Sequence, residues 1–177
     1  MTVCRRYPMI LTLALLAGLW PAPSPQALAG ENAAPTIHSE TWINSAPLTA
    51  GDVKGRVLLV EFWTFGCYNC RNVEPHIKQW HRDYADKGLT VIGVHAPEFG
   101  FERDAANLRA YIAKHGITYP VAVDNDFANW YAWHNRAWPT LYLVDRQGNI
   151  RYQRIGEGGY RVTEATIRRL LDEPSSH

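Results

Sequence analysis

Apolar residues along this chain fall into runs of two kinds, and each kind names an element. RVLLVEFW (Arg56 to Trp63) is apolar apart from its first residue and Glu61, the pattern of a strand buried on both faces of a parallel or mixed sheet. LTVIGVHA (Leu89 to Ala96) repeats it. Between them, in CRNVEPHIKQWHRDYADKG, Val73, Ile77, Trp80 and Tyr84 recur at helical spacing and predict an amphipathic helix ending before Gly88. RDAANLRAYIAKHG predicts a further helix closed by Gly116. TYPVAVD reads as a short extended piece, and NDFANWYAWHN as a helical segment capped by Asn125 or Asp126. TLYLVDRQGNIRYQRIG is a hairpin turning at Gln147-Gly148-Asn149, and VTEATIRRLLDE is a last helix with Thr163 as its cap. Strands and helices alternate and a hairpin closes the series, which predicts an α/β fold with a central mixed β-sheet flanked by helices. There is no internal repeat.

The N-terminus follows another pattern. Arg5 and Arg6 precede an uncharged apolar run from Met9 to Trp20, and Ala27-Leu28-Ala29 forms a small-residue cleavage site before Gly30. The run stops at Pro21, short of the roughly 20 residues that span a bilayer, so a cleaved secretory signal is expected rather than an anchor. Residues 1–29 are thus expected to be removed, 30–47 to run as a linker into the N-terminal edge, and 48–177 to form one domain in an exported compartment, the bacterial periplasm. A chain of 177 residues that is 46% hydrophobic and 20% charged has enough apolar material for one sizeable core. Loss of Arg5 and Arg6 from its 18 basic residues leaves 16 against 17 acidic ones. With no basic stripe, run of like charge or Gly-rich phosphate loop, nucleic acid and nucleotides are not expected as partners.

Cleavage also removes Cys4 and leaves only Cys67 and Cys70. A structural disulfide stabilises by closing a long loop, and a two-residue loop restrains almost nothing. Zinc would need His76 and His81, but only five residues separate Cys70 from His76, where a zinc finger has about twelve. Five helical steps also turn a side chain by about 140°, so the two histidines face apart and are expected at the surface. No metal site is expected. The pair stands where a strand feeds a helix. Cys67 at the helix N-terminus has its thiolate stabilised by free N–H groups and the dipole, while Cys70, a turn further in, is shielded.

Glu61-Phe62-Trp63, Cys67-Tyr68-Asn69-Cys70, Pro75 within the helix and Trp138-Pro139-Thr140 before the hairpin occur in an order and spacing, over Ala46 to Gly156, that resemble the thioredoxin-like proteins. Within these the chain resembles the exported TlpA-like branch, including the soluble C-terminal domain of DipZ-type proteins. The resemblance implies a thioredoxin fold with a TlpA-like insertion over Phe99 to Asn135, Pro75 kinking the active-site helix, and Pro139 in the cis form beside the cysteines. It implies thiol–disulfide exchange without a cofactor, Glu61 taking the proton of Cys70, and Trp138 with Pro139 shaping the substrate groove. Trp63, Tyr68, Asn69 and Pro75 are expected to support the pair, and Tyr68-Asn69 to tune its potential. Protein disulfides are the implied substrates, a membrane partner the implied electron donor, and cytochrome c biogenesis an implied setting.

Single residues bear on this. An acid in an apolar strand is either at an edge in solvent or buried with a raised pKa; the buried reading is adopted for Glu61. Trp63, Trp130 and Trp133 are expected to fill core or rim, and His95 to pack at its strand end. Thr64 stands three residues before Cys67, as in the T-x-x-C of peroxidases, but the proline expected four residues before it is Val60, and Cys70 makes the pair a dithiol. A non-catalytic module holding copper(I) or an apocytochrome is the other alternative. Two thiolates suit copper(I), yet Met1 and Met9 both lie in the leader and supply no thioether to the mature chain.

Overall fold

A computed structural model describes Met1 and residues 32–174; beyond Met1, the expected leader and its cleavage site lie outside the described residues. The elements run β1 (Trp42–Ile43), α1 (Ala50–Val53), β2 (Val57–Trp63), α2 (Tyr68–Tyr84), β3 (Leu89–His95), α3 (Ala105–His115), β4 (Val121–Val123), α4 (Ala128–Ala132), β5 (Thr140–Val144), β6 (Ile150–Ile155) and α5 (Tyr160–Asp172). The strands form one mixed sheet in the order β1-β4-β3-β2-β5-β6. β2, β3 and β4 are parallel, while β1, β5 and β6 each run antiparallel to their neighbours.

The continuous apolar strands are explained by two cores, one on each face of the sheet. Alternation along β2 sends Val57, Leu59, Glu61 and Trp63 to one side and Leu58, Val60 and Phe62 to the other. The first side packs under α2, α3 and α5 through Val73, Ile77, Trp80, Leu108, Ile112, Ile167 and Leu170. The second is covered by Trp130 and Trp133 around α4 and by Ile37 and Trp42. Cys70 belongs to the first core, so Glu61 points to the same side of the sheet as the cysteines. Among the described residues no helix is long and apolar enough to cross a membrane.

In the expected linker and N-terminal edge, Trp42 and Ile43 pair as an edge strand with Ala122 and Val121, and the Asn129 side chain grips the backbone of His38 at 2.8 and 2.6 Å. Three local expectations change. α4 is capped chiefly from Asp124; of the two expected caps Asp126 does accept from Ala128 N, at 3.3 Å. Phe127 takes a left-handed backbone, and the buried Asp124 carboxylate accepts from Asn129 N, Trp130 N and Asn129 Nδ2 at 3.0, 2.9 and 2.9 Å. Thr163 lies inside α5, whose first turn begins after the left-handed Gly159, and its buried hydroxyl donates to Gly159 O. His76 and His81 do face apart but are half-buried, His76 stacked on Tyr160 at 3.7 Å and His81 edge-on to Tyr119.

Asp124→Ala strips two helix N–H groups and a buried amide of a charged acceptor. It is expected to cost about 3 kcal/mol, read as a lowered urea midpoint with unchanged slope.

Candidate active site

β2 ends at Trp63, and Thr64 to Gly66 turn the chain into α2, with Cys67 N donating to Thr64 O at 3.3 Å. Cys67 is the helix cap: its half-buried Sγ accepts from Cys70 N at 3.2 Å, the position a serine or aspartate oxygen takes at other helix starts. Both cysteines are free thiols, and Cys70 is buried. A hydrogen bond from the Cys70 thiol, aided by the N–H groups of Cys70 and Asn69, brings the Cys67 pKa down to about 7 against burial and the charge of Glu98. Burial, then that same hydrogen bond, pushes the Cys70 thiol far up. The arrangement can therefore offer one sulfur as a thiolate near neutrality while its neighbour keeps its proton.

Glu61 lies in the middle of the sheet, between β3 and β5, on the side of the cysteines, which removes the edge-strand reading. It is 1% exposed, and Tyr119 Oη donates to its Oε2 at 3.3 Å. Burial pushes its pKa up to about 8, the Tyr119 hydrogen bond opposing and the charges of Glu74 and Cys67 adding to the rise.

The remaining expected residues take distinct places. The Trp138–Pro139 bond is cis, and Pro139 is buried. Trp138 is half-buried, with Nε1 donating to Ala96 O at 2.9 Å and its ring 4.3 Å from that of Trp130. Trp63 is buried edge-on to His95, while Tyr68, Asn69 and Pro75 are exposed along α2. His95 is a core residue: its Nε2 lies 3.2 Å from Thr64 Oγ1, Phe65 stacks on its ring, and burial pushes its pKa down to about 4. It stays neutral through the physiological range.

Two residues near the pair carry no mark in the sequence. Tyr119, the partner of Glu61, precedes β4; Glu102, 1% exposed, accepts from Gly66 N, Glu98 N and Phe99 N at 2.7, 2.6 and 2.7 Å. A Cβ on Gly66 would lie 2.3 Å from Glu102 Oε1, so the glycine before Cys67 is the signal that a neighbour sits close.

Residues 31–153 match the model of the AhpC/TSA family. The chain belongs to that family. It is 42% identical over 135 residues to Protein DipZ of Mycobacterium tuberculosis, a match over 75% of this chain and 19% of that protein. The chain thus spans about a fifth of the length of DipZ. It is 29% identical to thiol-disulfide oxidoreductase YkuV of Bacillus subtilis, over 76% of this chain and 90% of that protein. Among solved structures, thioredoxin-like superfamily protein SPOA0173 superposes with a TM-score of 0.76 at 25% identity, covering 82% of this chain and 99% of that one. A thiol-disulfide isomerase from Corynebacterium glutamicum gives 0.69 at 26% identity, covering 80% and 98%. The thioredoxin-like fold and the kinship of this AhpC/TSA member with TlpA/DipZ-like thiol–disulfide oxidoreductases therefore hold.

Proposed function

We propose that this protein is an exported reductant of protein disulfides acting through Cys67 and Cys70. The observation that carries the reading is the asymmetry of the pair: a half-exposed sulfur with a pKa near 7 beside a buried one whose proton is held. The Cys67 thiolate attacks a substrate disulfide, forming a mixed disulfide and expelling one substrate thiolate, which takes a proton from solvent. Cys70 passes its proton to Glu61 and attacks the Cys67 sulfur, releasing the second substrate thiolate and closing the Cys67–Cys70 disulfide. Two electrons have left the protein, and a dithiol donor must restore them. The N-terminal Arg5-Arg6 and Met9–Trp20 pattern supports export, and the donor of an exported reductant would lie in the membrane. Trp138 and Pro139 border the groove along which the substrate lies.

Direction is tested by the reduction potential of the pair, measured by equilibration with dithiothreitol. A reductant is expected near about −270 mV, the thioredoxin range, and a value near about −120 mV would make the protein an oxidant.

A further inference from the structure

The segment after β3 is fastened to the turn that carries Cys67. Glu102 reaches back with one oxygen to Gly66 N and with the other to Glu98 N and Phe99 N, all at 2.6–2.7 Å. Three bonds from backbone N–H groups to one buried carboxylate fix the loop and the turn as a unit. This arrangement lifts two phenyl rings into solvent. Phe99 is 49% and Phe101 56% exposed, their rings 5.9 Å apart and 5° from parallel. Phe101 also packs edge-on to the half-buried Phe65 at 5.7 Å and lies against Gly66, so the exposed apolar surface continues to the residue before Cys67.

Of the exposed charges on this segment, Arg103 donates to Asn125 O and lies over the Phe127 ring, and Asp104 caps α3, which leaves Glu98. Glu98 is exposed, its carboxylate has no hydrogen bond or ion pair among the described residues, and it acts electrostatically on Cys67. Paired apolar rings beside an acid and a reactive sulfur do not suit an anionic lipid surface. They suit a polypeptide whose disulfide must reach Cys67.

Building on the exchange chemistry proposed above, we propose that Phe99, Phe101 and Glu98 select protein disulfides flanked by an apolar and a basic side chain, with Glu102 as the positioning residue that keeps this surface in register with Cys67. The apolar side chain packs on the stacked rings and the base meets Glu98.

The test uses two matched disulfide peptides, one with Leu and Lys beside the cysteine and one with Ser and Asp, together with hydroxyethyl disulfide, which offers no flanking side chain. The wild type is expected to favour the Leu/Lys peptide by about tenfold in kcat/KM, chiefly through KM. The Phe99→Ser/Phe101→Ser double variant should lose most of that preference, and Glu98→Gln the part due to Lys. Glu102→Gln keeps both rings but gives up one acceptor oxygen, so the preference should shrink with every contact side chain still present. Equal kcat/KM for the two peptides in the wild type, with hydroxyethyl disulfide still reduced, overturns the selection surface and spares the exchange reading. A preference unchanged in the double variant also overturns it. Failure to reduce any of the three disulfides overturns the exchange reading instead.

Discussion

Serine in place of Cys70 is expected to leave the first half of the reaction running and stop the second, so that the protein accumulates as a stoichiometric mixed disulfide with its substrate. The serine hydroxyl can donate to Cys67 Sγ as the Cys70 thiol does, so the feature that chiefly lowers the Cys67 pKa survives the change. Attack should therefore keep an inflection near pH 7, below the usual thiol value of about 8.5. Turnover, which needs the second sulfur, should fall by about 10³-fold or more. Cys67→Ser behaves differently. It leaves only a buried thiol whose pKa is pushed far up, and neither adduct nor turnover is expected. Mass spectrometry of the quenched reaction between pH 5 and 9 separates the cases. Adduct formation as rapid in Cys67→Ser as in Cys70→Ser would reverse the two roles.

The parts of this molecule that were legible in its sequence are those whose physics is local. β2 and β3 showed as nearly continuous apolar runs because both of their faces are buried. Cys67 and Cys70 showed because a three-residue spacing at a helix start sets one sulfur at the cap and buries the other. Glu61 showed as the single acid in a strand with no polar side. What was hidden is held by distant groups. Tyr119 reaches Glu61 across 58 positions, and Glu102 reaches Gly66 across 36. Both are ordinary residues until the fold brings their partners up. β1 is two residues long, too short for any period, and exists because Val121 and Ala122 present an edge to it. At α4 three polar residues stand in a row, Asp124, Asn125 and Asp126. Only the left-handed turn at Phe127 decides that Asp124 takes two of the helix N–H groups, from Asn129 and Trp130, and leaves Asp126 the one from Ala128.

Glu61→Gln is expected to slow release of the substrate by about 10²-fold while leaving formation of the mixed disulfide near its wild-type rate, because a general base is lost and the nucleophile is untouched. In the resting dithiol the Cys67 thiolate is one of the charges that raise the Glu61 pKa to about 8. Once Cys67 is bonded to substrate that charge is gone, so Glu61 ionises more readily at the step that needs a base. Wild-type resolution should accordingly rise with pH to a plateau with its inflection below 8. The variant should show no inflection there, and the gap should narrow only at higher pH, where Cys70 ionises unaided. Stability should move the other way. Between about pH 4.5, the unfolded value, and 8, the unfolded chain gives up a proton that folded Glu61 keeps, so this group costs stability as pH rises through that window and adds no further loss above it. Removing it should stabilise the fold by on the order of 3 kcal/mol at pH 7 and by nothing below pH 4. Stopped-flow resolution kinetics and urea denaturation over the same pH range read both effects. Identical resolution rates for variant and wild type from pH 6 to 9 would dismiss Glu61 as the proton acceptor, and an unaltered stability profile would dismiss its raised pKa.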